Sequence, residues 1–161
     1  MSSLIENDKY INPLTDFGFK KLFGTEMNKD LLIDFLNEIL PKNKKVKDLV
    51  YSSTDKPGAT KKERKAIFDL YCTSPDGDKF IVEMQKAKQI YFKDRSVFYS
   101  TFPIQEQAER GDWNFKLSPV YSIGILDFEF EEEPSDKENV SLHHIIELKN
   151  QKGEVFYDKL K

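Results

Sequence analysis

The stretch Lys65–Gln85, KAIFDLYCTSPDGDKFIVEMQ, contains two runs of alternating apolar residues separated by a turn sequence. Alternation with a period of two is typical of β-strands, and Pro, Asp and Gly between two such runs are typical of a hairpin. The sequence therefore predicts an antiparallel pair formed by Lys65–Thr73 and Lys79–Gln85. The alignment of these two strands decides which side chains meet.

That alignment depends on the length of the turn. A two-residue turn at Asp76-Gly77 would place Asp69 and Glu83 on opposite faces of the hairpin. A three-residue turn at Pro75-Asp76-Gly77, with type I geometry at Pro-Asp and a positive φ at Gly, sets Asp69 directly opposite Glu83. It also pairs Phe68 with Met84 and leaves one face wholly apolar, whereas a slip of one residue would mix the faces. We therefore expect the three-residue turn.

In this alignment the Cβ atoms of Asp69 and Glu83 would lie roughly 5 Å apart, with Gln85 on the same face. Two carboxylates on a half-buried sheet repel each other and are costly to desolvate. A hard cation such as Mg²⁺ or Mn²⁺ relieves both problems, and it can also polarise a phosphate and activate a water molecule. On spacing alone, an ordinary solvent-exposed polar face explains these residues at least as well as a metal site.

Helices and further strands are predicted on both sides of the hairpin. The 3.6-residue period indicates a short helix capped by Asp16 and ended by Gly24, and a second one capped by Asn28 and stopped by Pro41. The other predicted elements are a strand at Val46–Tyr51, a helix at Phe92–Arg110 kinked at Pro103, strands at Pro119–Phe130 and Ser141–Leu148, and a last apolar-polar run at Glu154–Leu160. This order predicts an α/β fold with an αβββαβ core, in which helices flank a central mixed sheet.

Length and composition fit one globular domain. The chain has 161 residues, of which 39% are hydrophobic and 33% charged, and a net charge of −3. That charge gives no general case for nucleic-acid binding. However, nine basic residues against three acidic ones between Lys42 and Lys65 would form either a basic face for phosphate or a solvated loop. The apolar-polar run at the end of the chain predicts that residues 1–161 form a single domain at the N-terminal part of a longer protein.

Two kinds of segment that determine cellular location, a signal peptide and a membrane-spanning helix, are not evident in the sequence. The first residues contain no apolar segment of the kind found in signal peptides, and no apolar run is long enough for a membrane helix. Cys72 is the single cysteine, so no disulfide can form within the chain, and we expect it to be a small buried thiol. These features predict a protein of the reducing cytoplasm without membrane association.

Several motifs occur in a fixed order along the chain. They are Asp16-Phe17-Gly18-Phe19-Lys20-Lys21-Leu22-Phe23, Leu31-Leu32 through Phe35-Leu36-Asn37, Phe68-Asp69-Leu70, Val82-Glu83-Met84-Gln85, then Arg95, Tyr99, Gln107 and Gly111, and Pro119-Val120-Tyr121 leading to Asp127-Phe128. With this set, roughly residues 10 to 130 resemble the Rpn-type recombination-promoting nucleases and transposases, a branch of the PD-(D/E)xK nuclease superfamily. The resemblance implies a restriction-endonuclease-like core and metal-dependent hydrolysis of phosphodiester bonds in DNA, with a role in mobile-element recombination or transposition.

The resemblance also implies roles for individual residues. Asp69 and Glu83 correspond to the two acids of the signature and would bind Mg²⁺ or Mn²⁺, with the backbone carbonyl of Met84 as a further ligand. Gln85 takes the place that many relatives give to lysine, and it would orient the attacking water without bringing a positive charge. The proline that precedes the first acid in the signature is replaced by Phe68.

Four further residues are candidates to line the same site, namely Glu38, Arg95, Tyr99 and Gln107. Surface placement explains Glu38 as well, and packing explains Arg95 and Tyr99 as well. Asp16 and Lys20 are explained by helix capping and an i,i+4 ion pair. The absence of lysine at position 85 leaves an alternative function open, a catalytically weak or inactive module of a transposase-like protein that binds DNA or protein. The chain could also form a homo-oligomer.

Overall fold

A four-stranded sheet lies between helices in the computed structural model, which describes residues 10–56, 66–108, 111–130 and 141–161. The helices are α1 (Asp16–Phe23), α2 (Lys29–Ile39) and α3 (Phe92–Gln105), with one 3₁₀ turn at Glu26–Asn28. The strands are β1 (Val50–Tyr51), β2 (Asp55–Lys56), β3 (Ala66–Ile67), β4 (Leu70–Thr73), β5 (Lys79–Gln85), β6 (Val120–Leu126), β7 (Leu148–Lys149) and β8 (Val155–Tyr157).

The main sheet has the order β1-β4-β5-β6. Strand β4 is antiparallel to both of its neighbours, whereas β6 is parallel to β5 and is reached through α3. The succession α2, β1, β4, β5, α3, β6 is the predicted αβββαβ core with a mixed sheet, so the predicted fold class is confirmed. Two short antiparallel pairs, β2-β3 and β7-β8, lie outside this sheet.

Both faces of the sheet are covered by helices. On one face, buried side chains of the sheet pack against α1 and α2; this cluster contains Phe19, Leu32, Leu36, Leu70, Cys72, Phe80, Val82 and Met84. On the other face, Ala66, Phe68, Tyr71 and Ile81 pack against Tyr99 and Phe102 of α3. The central strands are therefore buried on both sides, and Cys72 is the buried thiol that the sequence predicts.

The predicted strand Lys65–Thr73 is interrupted at Phe68 and Asp69. The Phe68 amide donates to the Thr54 carbonyl (2.9 Å), which continues the β2-β3 pairing, and regular pairing with β5 begins at Leu70. The change of partner turns the backbone, so Phe68 packs in the α3 cluster and not beside Leu70. The prediction that Phe68 pairs with Met84 on a shared apolar face is therefore wrong.

Other predicted boundaries shift where side chains or turns take over the backbone hydrogen bonds. The side chain of Asn37 binds both the amide (2.8 Å) and the carbonyl (2.9 Å) of Val46, which removes Val46 from strand pairing, and β1 is limited to Val50–Tyr51. The amides of Gln107 and Ala108 bond carbonyls three residues back, which ends α3 at Gln105.

Three further predictions need correction. The side chain of Thr15, not Asp16, caps α1 by accepting from the Gly18 amide. The predicted strand Pro119–Phe130 ends at Leu126. The predicted strand Ser141–Leu148 is wrong, because regular pairing in this segment starts at Leu148. Among the described helices, none is long and apolar enough to cross a membrane.

Candidate active site

The turn between β4 and β5 sets the position of the two predicted acids. The Gly77 amide donates to the Ser74 carbonyl (2.9 Å), the Ser74 amide donates to the Asp78 carbonyl (3.0 Å), and Gly77 has a φ of 88°. These contacts are those of the predicted three-residue turn, and the pairs from Thr73↔Lys79 to Leu70↔Val82 have the predicted register. One step beyond the last of these pairs, at the interruption of the strand, Asp69 contacts Glu83.

Asp69 and Glu83 hold each other through the backbone. The Asp69 amide donates to Glu83 Oε1 (3.0 Å), and the Met84 amide donates to Asp69 Oδ2 (2.8 Å). Asp69 can turn its amide toward a side chain because the strand is interrupted there. Each carboxylate therefore has one oxygen bound by an amide of the other strand, and its second oxygen is left for another partner.

Cationic side chains from two helices face those second oxygens. Lys20 Nζ of α1 lies 3.5 Å from Asp69 Oδ1 and 2.6 Å from Asp16. Arg95 Nη2 of α3 lies 3.7 Å from Glu83 Oε2. The hydrogen bond to Asp16 and the charge of Asp69 raise the pKa of Lys20 above its ordinary value, so the ammonium stays protonated. The paired acids thus attract positive charge from both sides of the sheet.

The pKa of Glu83 is strongly shifted from its ordinary value. Burial is the largest cause and raises the pKa of Glu83 to about 7, and the negative charge of Asp69 acts in the same direction. The hydrogen bond from the Asp69 amide, Arg95 and Lys20 oppose the shift without cancelling it. A carboxylate that is costly to ionise beside a second carboxylate is typical of sites that bind a cation.

Most of the sequence matches a known protein family. A family model described as PD-(D/E)XK nuclease family transposase matches residues 13–161. The chain belongs to this family. No curated protein and no solved structure matches it. The resemblance stated from the sequence is confirmed, and the matched region extends beyond residue 130 to include the C-terminal hairpin.

Gln85 is the residue that the sequence resemblance sets at the lysine position of the PD-(D/E)XK pattern. Gln85 Oε1 accepts from Arg95 Nη2 (2.9 Å), and Gln85 Nε2 donates to the Ala87 carbonyl (3.2 Å). Both ends of the Gln85 amide therefore have protein partners. Arg95 contacts Gln85 and approaches Glu83 with the same nitrogen atom, so the predicted lining residue Arg95 does lie at the site.

The other predicted lining residues lie at different distances from the paired acids. Tyr99 packs edge-on against Phe68 (5.2 Å between ring centroids) and lies beside the Arg95 guanidinium (5.5 Å). Gln107 bonds the amide (2.6 Å) and carbonyl of Ser118, which precedes the start of β6, so it serves the far end of the sheet. Glu38 is exposed on α2, and no contact with either acid is seen.

Lys20 is the member of this constellation that sequence reasoning assigned elsewhere. The expected i,i+4 pair with Asp16 is present, but the same ammonium also faces Asp69. The sequence does contain one indication that Lys20 belongs to the site. Lys20 is part of the Asp16–Phe23 motif, which precedes the two acids in the family resemblance. Its proximity to Asp69 depends on how α1 packs on the sheet, and spacing along the chain carries no information about that.

The donor set has the composition that a hard cation requires. No group of three His, Cys, Asp or Glu side chains comes together in the described part of the chain. Two carboxylates with backbone and solvent oxygens are nevertheless a common set for Mg²⁺, which keeps several of its own waters. The backbone carbonyl of Gln85 accepts a hydrogen bond from the Asp127 amide on the β6 side (3.0 Å). The backbone N–H and C=O groups of successive residues in a strand point to opposite sides. The Met84 carbonyl consequently lies on the Asp69 side.

The raised pKa of Glu83 predicts how stability changes with pH in the metal-free protein. Between the unfolded pKa of 4.5 and the folded value of about 7, the folded state keeps a proton that the unfolded state releases. The free energy of unfolding should therefore fall as pH rises through this interval, by up to about 3 kcal/mol from this group. Denaturant titrations of wild type and Glu83→Gln from pH 4 to 9 measure the difference. A constant difference between the two proteins would contradict the prediction.

Proposed function

We propose that this family member is a metal-dependent DNA endonuclease that hydrolyses phosphodiester bonds in mobile-element recombination or transposition. The observation that carries the proposal is the pair Asp69 and Glu83. Each is held by an amide of the other strand, and each has one oxygen directed at a cation. Family membership supports nuclease chemistry, and the geometry of Asp69 and Glu83 supports assigning that chemistry to them.

Asp69, Glu83 and the Met84 carbonyl are the ligands that would hold Mg²⁺ or Mn²⁺. When bound, such an ion supplies Lewis-acid polarisation of the phosphate and a more acidic water. The amides of Asp69 and Met84 orient the two carboxylates before any ligand arrives. Side chains that are already oriented need no reorganisation in the transition state, which is the main advantage of a preformed polar site.

The positive side chains around the acids suit a polyanionic substrate. Lys20 and Arg95 face the carboxylates, and Lys21, Lys86 and Lys93 are exposed on the adjoining helices and loop. Lysine and arginine contacts to phosphates supply most of the affinity for a DNA backbone and carry little sequence information. We therefore expect binding that weakens steeply with salt.

A plasmid-nicking assay tests the proposal. Wild-type protein with Mg²⁺ or Mn²⁺ should convert supercoiled plasmid to nicked or linear DNA, and EDTA should stop the conversion. Glu83→Gln should lower the rate by about 10²-fold or more, because it removes a charged ligand at a half-buried position. Glu154→Gln, in the exposed turn of the C-terminal hairpin, is the matched control and should cleave like wild type.

Two outcomes would contradict the proposal. One is the absence of cleavage by wild type with either metal. The other is cleavage that persists unchanged in Glu83→Gln, since the activity would then come from another site or a contaminant. DNA binding without any cleavage would favour the alternative of an inactive DNA-binding module.

A further inference from the structure

Arg95 occupies a prepared position next to the acids. Its guanidinium carbon lies 5.6 Å from the ring centroid of Phe92 and 5.5 Å from that of Tyr99, on the preceding and following turns of α3. Its Nη2 atom donates to Gln85 and approaches Glu83. Aromatic faces attract a guanidinium and restrict its rotation. About a quarter of the side chain (26%) is exposed, which leaves it accessible to a phosphate at the paired acids.

The backbone opposite Glu83 makes room for this arrangement. Gly124 of β6 pairs with Glu83, and a Cβ atom at position 124 would lie 2.7 Å from Cζ of Phe92. The missing side chain lets Phe92, and with it the first turn of α3, approach the sheet at the level of the acids. Arg95 is one turn further along the same helix, so the close approach brings its guanidinium to the edge of the site.

We propose that Arg95 supplies from α3 the positive charge that the PD-(D/E)XK pattern places on the strand at position 85, and that Gln85 positions Arg95. Arg95 would be the catalytic residue, with direct contact to the scissile phosphate, and Gln85 a positioning residue. The inference rests on the proposed nuclease function. It gives Gln85 a role different from orienting the attacking water, because Arg95 and Ala87 each bind one end of the Gln85 amide.

Chemistry explains why glutamine and not lysine fits beside this arginine. The side-chain carbonyl of Gln85 accepts a hydrogen bond from the Arg95 guanidinium. The ammonium of a lysine at position 85 would repel the guanidinium and offer it no acceptor. Arginine keeps its charge at all relevant pH values and presents several donors in one plane, which suits a phosphate with two free oxygens. The positive charge thus lies on α3, at Arg95, and the residue that positions it lies on β5, at Gln85.

Single-turnover plasmid cleavage at saturating Mg²⁺ tests the assignment. Arg95→Met should lower the rate by about 10²- to 10³-fold, as expected when a preorganised donor to developing negative charge is lost. Lys152→Met removes a charge from the exposed turn of the C-terminal hairpin and should stay within about twofold, as expected for a surface change away from the site. Gln85→Lys alone should bring no gain, yet Gln85→Lys combined with Arg95→Met should cleave at least about tenfold faster than Arg95→Met, since it returns one charge to the site.

Two further measurements separate catalysis from simple structural support. Isothermal titration should show that Arg95→Met binds Mg²⁺ at least as tightly as wild type, because a cation that competes for Glu83 has been removed. Adding Gln85→Ala to Arg95→Met should lower the rate no further, because a residue that acts only through Arg95 has no effect once Arg95 is gone. Thermal unfolding confirms that each variant is folded.

The outcomes distinguish this inference from the proposed function. If wild type cleaves, Glu83→Gln does not and Arg95→Met cleaves within threefold of wild type, the assignment of Arg95 is overturned while the nuclease proposal stands. Weakened Mg²⁺ binding in Arg95→Met would also overturn it, because Arg95 would then act by holding the ligands. A large loss in Lys20→Met without one in Arg95→Met would transfer the role to Lys20. If wild type does not cleave, both proposals fail together.

Discussion

Asp69→Asn should lower the rate of metal-dependent DNA cleavage by at least about 10³-fold, equivalent to about 4 kcal/mol of transition-state stabilisation. Asparagine keeps the size of the side chain, and its carbonyl oxygen can still accept from the Met84 amide. What is lost is the negative charge that now faces Lys20 and would face the metal. The pair with Lys20 is partly exposed, so its loss should cost less than about 1 kcal/mol of stability.

The rate is measured in single-turnover cleavage, and the metal dependence of thermal unfolding gives an independent readout. Free Mg²⁺ at a concentration ten times its dissociation constant stabilises a folded protein by about 1.4 kcal/mol, and this stabilisation should vanish in Asp69→Asn. Asp34→Asn, which removes an exposed carboxylate from α2, is the control and should behave like wild type in both assays. Retained cleavage and metal-induced stabilisation in Asp69→Asn would remove Asp69 from the site.

Phe68→Ala should lower the free energy of unfolding by about 3–5 kcal/mol, a large share of the stability of an ordinary domain. The Phe68 ring is 1% exposed and lies within 5.2–6.2 Å of the rings of Tyr71, Tyr99 and Phe102, measured between centroids. Its deletion leaves a cavity between the sheet and α3. Because Asp69 follows directly, the cavity should also loosen the first acid and lower the cleavage rate of the folded fraction.

Urea denaturation measures the stability change. Phe17→Ala, an exposed phenylalanine in the first turn of α1, is the matched control and should change stability by no more than about 0.5 kcal/mol. Phe68→Leu keeps part of the volume and provides a folded intermediate case if the alanine variant is too unstable to purify. A loss below about 1 kcal/mol in Phe68→Ala would contradict the prediction that this ring contributes strongly to the packing between the sheet and α3.

Local signals in the sequence were enough to predict the framework of the site. The Pro75-Asp76-Gly77 turn determines the hairpin register through the φ of Gly77, and β5 has the predicted bounds because its alternation is uninterrupted. The helices α1 and α2 end close to their predicted residues for similar reasons. Each of these features depends on residues that are near one another in the chain.

The contacts that give the site its charge could not be predicted in the same way. The hydrogen bond from the Asp69 amide reaches Glu83, fourteen residues away, at the point where the strand is interrupted. The approach of Lys20 to Asp69 depends on the packing of α1. The contact of Arg95 with Gln85 depends on how closely α3 lies on the sheet, which Gly124 determines through a missing side chain. Such contacts follow from tertiary packing, for which the periodicity of a single segment carries no signal.

The acids of this site lie on the hairpin, whereas the cations that face them lie on α1 and α3. Ligand geometry and local electrostatic potential are consequently under separate mechanical control. A rotation or shift of either helix would retune the potential at the acids and leave their spacing intact, because that spacing is bound into the backbone of two paired strands. Substitutions on α1 and α3 can therefore change the electrostatic potential at the acids while the hairpin stays unchanged.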